Sequence, residues 1–90
     1  MISELQEYIG NKVVLDTKST YIYIGTLERE GNEYLDITDV DVHDHTKSTV
    51  SKELYIIEAL KYGVKVNRKR AKILKRDIIS LSLLDDVVKY

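Results

Sequence analysis

Residues 21–42, Tyr-Ile-Tyr-Ile-Gly-Thr-Leu-Glu-Arg-Glu-Gly-Asn-Glu-Tyr-Leu-Asp-Ile-Thr-Asp-Val-Asp-Val, constrain this chain more than any other segment. Tyr21, Tyr23, Gly25 and Leu27 alternate with Ile22, Ile24 and Thr26, and Leu35, Ile37 and Asp39 alternate with Asp36, Thr38 and Val40. Alternation at period two places one set of side chains on each face of a sheet, and Gly31-Asn32 between the two runs is a hairpin signal. Gly25 lies inside the first run, where glycine marks a sharp bend or a close backbone approach. A long, bent hairpin is what a small, strongly curved antiparallel barrel requires. The expected class is therefore mainly β.

The rest of the chain fits around that hairpin. Ser3 to Gly10 reads as a short N-terminal helix, with Ser3 as cap, Gln6 three residues later and Gly10 as stop. Strands are expected at about 12–16, 20–30, 33–42, 71–75 and 78–83. His43 to Thr49 reads as loop. Ser51 can cap a helix running to Tyr62, with Gly63 as its left-handed stop, although Leu54-Tyr55-Ile56-Ile57 also fits a short buried strand. Residues 84–90 read as a continuation of the last strand or a frayed end. No repeat or linker divides the 90 residues, so a single domain is expected.

Composition narrows the class. The chain has no Cys, which removes disulfides and thiolate metal sites and suits a reducing, cytoplasmic setting. No apolar run is long enough for a membrane span, so no membrane partner is expected, and Glu4 and Glu7 occupy the place where a secretory leader would be basic. Charge is unevenly placed: five Lys/Arg face twelve Asp/Glu in residues 1–60, and nine face three in residues 61–90. A basic final third suits either a nucleic-acid surface or the acidic edge of a neighbouring subunit. Arg68, Lys69, Arg70, Lys72, Lys75 and Arg76 are its densest run, and could track a phosphate backbone.

Chemistry-bearing patterns are few. Asp39, Asp41, His43 and His45 recur every second residue, and their donor types suit Zn, Mn or Ni. Same-face residues lie about 6.6–7 Å apart along a strand, so four cannot meet at one ion without a bend. No metal, cofactor or catalytic residue is expected. A metal-dependent hydrolase using Asp39, Asp41 and His43 is the weakest of three functional readings.

Val13-Val14-Leu15-Asp16 followed by Tyr23, Gly25, Leu27, Leu35, Ile37, Asp39 and Val40 resembles the first signature motif of the Sm and Sm-like (LSm, Hfq-type) family. Residues 72–82 are similar to the second motif in hydrophobic pattern. The likeness covers roughly residues 3–42 and 71–84, with residues 51–62 as a helical insertion between the third and fourth strands that would decorate the barrel without altering it. It implies a five-stranded barrel that closes into a cyclic homo-oligomer by pairing strand four of one subunit with strand five of the next. It also implies a pore built from the loop joining strands two and three and the turn joining strands four and five. Asn32, Tyr34, Lys75 and Arg76 are the corresponding RNA-binding candidates, with Arg68, Lys69 and Arg70 as a competing rim. Tyr34 stands where the family carries Asn, and the family's Arg-Gly turn reads Lys75-Arg76-Asp77 here. The leading expectation is a ring acting as scaffold or chaperone for single-stranded RNA. The runner-up is a structural or protein-binding ring that has lost the RNA site.

Overall fold

The computed structural model describes residues 4–47 and 49–88. Five strands, β1 (Lys12–Thr17), β2 (Tyr21–Glu30), β3 (Tyr34–Asp44), β4 (Arg68–Leu74) and β5 (Ile78–Leu83), form one antiparallel sheet in the order β4-β3-β2-β1-β5. Helix α1 (Lys52–Tyr62) lies between β3 and β4. The strands expected from alternation are present. Two gain residues: β4 begins at Arg68, so the basic rim is part of an edge strand, and β3 runs on through His43 and Asp44, which had read as loop.

The expected N-terminal helix is reduced to one 3-10 turn at Gln6–Tyr8. Leu5 precedes it without a side-chain cap, while the proposed cap, Ser3, lies outside the described residues. The segment is anchored to the sheet instead: Gly10 N donates to Leu27 O at 2.7 Å and Leu27 N donates to Asn11 O at 3.0 Å. Those bonds draw Leu5, Tyr8 and Ile9 onto the main core.

That core is aliphatic and shared by the whole sheet. Val13, Leu15, Leu27, Leu35, Ile37, Val40 and Ile73 are buried together. Ile78, Leu81 and Leu83 of β5 pack on the same cluster as Ile73 of β4, although these strands end opposite sides of the sheet. The sheet must therefore curl. Its bending point is visible in the ladder. Ile24 faces Asp41 and Thr26 faces Thr38, so Gly25 alone opposes Asp39 and Val40, and Asp39 takes a left-handed φ of 50°. An extra residue on one strand bends it and increases its twist. Gly25 is needed there because a Cβ would stand 2.6 Å from Ile37 Cγ2 and 3.0 Å from the Thr38 carbonyl oxygen. A second register shift, between Leu27 and Arg29, adds to the curvature.

Helix α1 has the ends its sequence requires. The Ser51 side chain accepts from Leu54 N at 3.1 Å, and Gly63 stops it at φ 92°. Its packing goes beyond decoration. Ala59, with Tyr55, Ile56 and Leu60 partly buried, covers Val14, Ile22 and Ile24 on the opposite sheet face and builds a second core there. The residues after β5 join it: Leu84–Asp86 is a 3-10 turn, with Leu84 buried and Val87 packed alongside. The segment from Leu84 to Val88 thus ends the strand rather than extending it, while residues 89–90 lie outside the described residues. Lys52 Nζ fastens the helix start to Asp16 of β1, 3.3 Å from either carboxylate oxygen.

Candidate interaction surfaces

The loop joining β2 to β3 and the turn joining β4 to β5 meet. Lys75 N donates to Glu33 O at 2.8 Å, and Lys75 Nζ donates to Glu30 Oε2 at 2.7 Å and to Gly31 O at 3.1 Å. Asn32, Glu33, Leu74, Lys75 and Arg76 line the resulting cavity of about 170 Å³. Three of the four residues expected at this place, Asn32, Lys75 and Arg76, are therefore brought together. Lys75 is already committed, because its ammonium holds the two loops to one another. Arg76 is exposed and enters none of the ion pairs among the described residues.

Tyr34 is placed elsewhere. It opens β3 opposite Leu74 and lines a separate cavity of about 280 Å³ with Tyr21, Tyr23 and Lys72. The Tyr21 and Tyr23 ring centres are 6.4 Å apart and tilted by 40°. Burial first, and then the neighbouring Tyr21 and Asp77, raise the Tyr23 phenol above its ordinary pKa. This makes a small tyrosine surface beside the loop cavity.

Arg68, Lys69 and Arg70 lie exposed on β4, with Arg68 opposite Val40 and Arg70 opposite Thr38. None of them enters an ion pair among the described residues. Lys72, further along the strand, is bound to Asp36 at 2.8 Å, and Arg29 holds the same carboxylate at 3.0 Å. Hydrogen bonds from Lys72 and then Arg29 lower the Asp36 pKa. The free cationic surface of β4 is thus its first three residues.

Both ends of the sheet are open. β4 pairs only with β3 and β5 only with β1, and no β4–β5 ladder joins them among the described residues. Each end therefore presents unpaired backbone N–H and C=O groups, which template pairing with another strand. Ile79 of β5, 65% exposed, adds an apolar side chain to that edge.

The Asp39, Asp41, His43 and His45 alternation does not survive folding. The bulge at Asp39 shifts the phase, leaving Asp39 exposed and carrying Asp41 under the helix, where it is only 8% exposed. Among the described residues no three His, Asp or Glu side chains converge as a metal set would. A different polar cluster forms here. His43 stacks on Tyr55 with ring centres 3.8 Å apart and planes 12° from parallel. Asn67, just before β4, donates from Nδ2 to Asp41 Oδ1 at 3.3 Å and to Val42 O at 3.0 Å, while its Oδ1 accepts from Val42 N at 2.9 Å. Its amide imitates one more rung of the β3–β4 ladder. The sequence offered one signal for Asn67, a lone amide in a basic stretch, and none for its contact with residues about 25 positions away.

No family model matches the chain, and no curated protein matches it in sequence. Solved structures do resemble it in fold. A chain in the crystal structure of the NatC complex bound to CoA aligns at TM-score 0.59 and 14% identity, covering 92% of this chain and 87% of that one. A chain in the NatC complex bound to Gag peptide and CoA aligns at TM-score 0.58 and 14% identity, covering 89% and 90%. At that identity the likeness establishes a shared small β architecture, and nothing about activity.

Proposed function

We propose that this chain is an Sm-like assembly protein, which joins copies of itself or other protein subunits through its two open strand edges and has no active site. The observation that carries this reading is the pair of unpaired edges on one curled five-stranded sheet, β4 at one end and β5 at the other. Edges at opposite ends of one sheet suit head-to-tail pairing, which generates a ring when the rotation closes. The contact would set no like charges against each other, since the β4 edge is basic and β5, Ile-Ile-Ser-Leu-Ser-Leu, carries no charged side chain. The similar chains come from crystal structures of the NatC complex, in keeping with an assembly role.

RNA binding is the second reading, favoured by one observation: Arg68, Lys69, Arg70 and Arg76 are exposed without carboxylate partners among the described residues, so their charge is available to phosphate. Lys75 speaks against the loop cavity as the phosphate site, because Glu30 already neutralises it. Light scattering across concentration tests the first reading. A species larger than one chain is expected, and Ile79→Lys on the β5 edge should return it to monomer. A monomer at all accessible concentrations would overturn it. Filter binding with oligo(U) and oligo(A) across salt tests the second. A steep salt slope that flattens in an Arg68/Lys69/Arg70 alanine variant is the expected signature of phosphate contacts.

A further inference from the structure

Helix α1 does not seal against β3 along its whole length. At its C-terminal end a cavity of about 150 Å³ opens between the two, lined by Asp41, Tyr55, Glu58, Ala59, Tyr62 and neighbouring residues. This volume is comparable to that of an engineered cavity able to hold a benzene-sized molecule. It lies on the helix-covered face of the sheet, away from both open strand edges.

We propose that this cavity binds an organic cation, the ammonium head of an amine or of a lysine side chain. Four features of its wall agree. The Asp41 carboxylate is more than nine-tenths buried and has Asn67 Nδ2 as its hydrogen-bonding neighbour, with no cation paired to it among the described residues. A buried carboxylate without a counter-charge is costly and is ordinarily relieved by pairing. The Tyr55 hydroxyl is also buried. It faces Asp41: burial first, then a hydrogen-bonding contact with that carboxylate and its negative charge, raise the phenol's pKa. The phenol and the carboxylate thus converge on one buried polar spot at the cavity wall. An ammonium carries three donors, enough to serve both oxygens and Glu58.

The helix supplies the third feature. Ala59, Tyr62 and Gly63 place the cavity at the C-terminal end of α1, where the helix dipole favours positive charge. The fourth is aromatic: Tyr62, 78% exposed at the rim, and Tyr55 offer ring faces that attract organic cations. Lys65 is the one cationic side chain in the lining, and it pairs with neither Asp41 nor Glu58. Its place beside two carboxylates suits the anionic or polar remainder of an amine-bearing ligand.

The test is an NMR titration of the full chain with n-butylammonium, cadaverine and a doubly blocked lysine, with n-butanol as the uncharged control. Saturable shifts at the amides of Asp41, Tyr55, Ala59 and Gly63 are expected with the amines and not with butanol. Tighter saturation by the blocked lysine identifies a side chain of a partner protein as the source, and tighter saturation by cadaverine a free amine. Asp41→Asn should weaken amine binding about tenfold or more, since it removes a charge-assisted contact. Tyr55→Phe separates a binding role from a structural one. It should weaken amine binding while the chain stays folded, with the amides of β1 and β2 keeping the parent's chemical shifts. Equal shifts with butanol and the amines, or no saturable shifts with any of them, would overturn the proposal. So would unchanged amine binding by folded Asp41→Asn.

Discussion

The two faces of the sheet are built on different principles. The inner face is continuous and aliphatic: Val13, Leu15, Leu27, Leu35, Ile37 and Val40 are almost completely excluded from solvent and contribute no polar side-chain atom. The outer face under α1 has a smaller apolar patch of Val14, Ile22, Ile24, Ala59 and Leu84, flanked by Asp41, His43 and Tyr55. Non-directional burial holds the first together, so its residues are interchangeable within limits of volume. The second depends in part on hydrogen bonds and ring stacking, whose geometry is specific. It is also the face that buries polar atoms, with His43 Nε2 lacking a hydrogen-bond partner among the described residues and Tyr55 OH set against Asp41. The inner face secures the fold, and the outer face carries the directional polar contacts.

Substitutions can break this comparison, and the largest effect is expected inside. Leu27→Ala removes a side chain of 0% exposure at the centre of the inner core and should cost about 2–5 kcal/mol in urea unfolding. Loss of less than a third of that would mean the inner face is not the structural foundation. Gly25→Ala comes next. Its new Cβ meets Ile37 and the Thr38 carbonyl, so about 1–3 kcal/mol of destabilisation by overpacking is expected in the same assay.

The outer face should respond locally. Ser51→Ala removes the cap of α1 and should cost the helix about 1 kcal/mol. Hydrogen exchange would locate that cost in amides 54–62 while β1 and β2 keep their protection. If all of these lost protection together, the two faces would form one cooperative unit and the comparison would fail. The smallest effect concerns the polar pair on β3 and β4. Asp36 has a folded pKa below its unfolded value, so the stability it contributes is present above the ordinary carboxylate pKa and is lost as pH falls through the lowered one. Asp36→Asn should therefore flatten the acid limb of a stability-against-pH curve slightly and leave neutral stability nearly unchanged. Because Lys72 and Arg29 are exposed, high salt should erase most of the difference.

The phase of β3 shows how far the sequence could be read. Leu35 and Ile37 are apolar at odd positions and Val40 and Val42 at even ones, so the hydrophobic set changes phase between 37 and 40. That slip is the signature of an inserted residue, and Asp39 is the residue inserted. A strict period-two reading through 39, 41, 43 and 45 crosses the slip and places Asp41 and His43 on the wrong face. Capping was legible for a related reason: Ser51 and Gly63 act on groups within a few residues of themselves. The N-terminal turn was misread because Ser3 to Gly10 has local helix signals, whereas tertiary bonds from Gly10 and Asn11 to Leu27 decide its path.

By itself, then, the sequence determined the hairpin, the five strands, the bend at Gly25 and the cap and stop of α1. All of these rest on alternation, turn chemistry or caps, which are local in the chain. Only the tertiary structure decided that Lys75 would be consumed by Glu30, that Tyr34 would join Tyr21 and Tyr23, and that Asn67 would reach Asp41. Each of these contacts joins residues from different strands or loops, and their pairing depends on how far the sheet curls. That curl arises from the bulge geometry of the assembled ladder, so no single segment encodes which side chains it brings together.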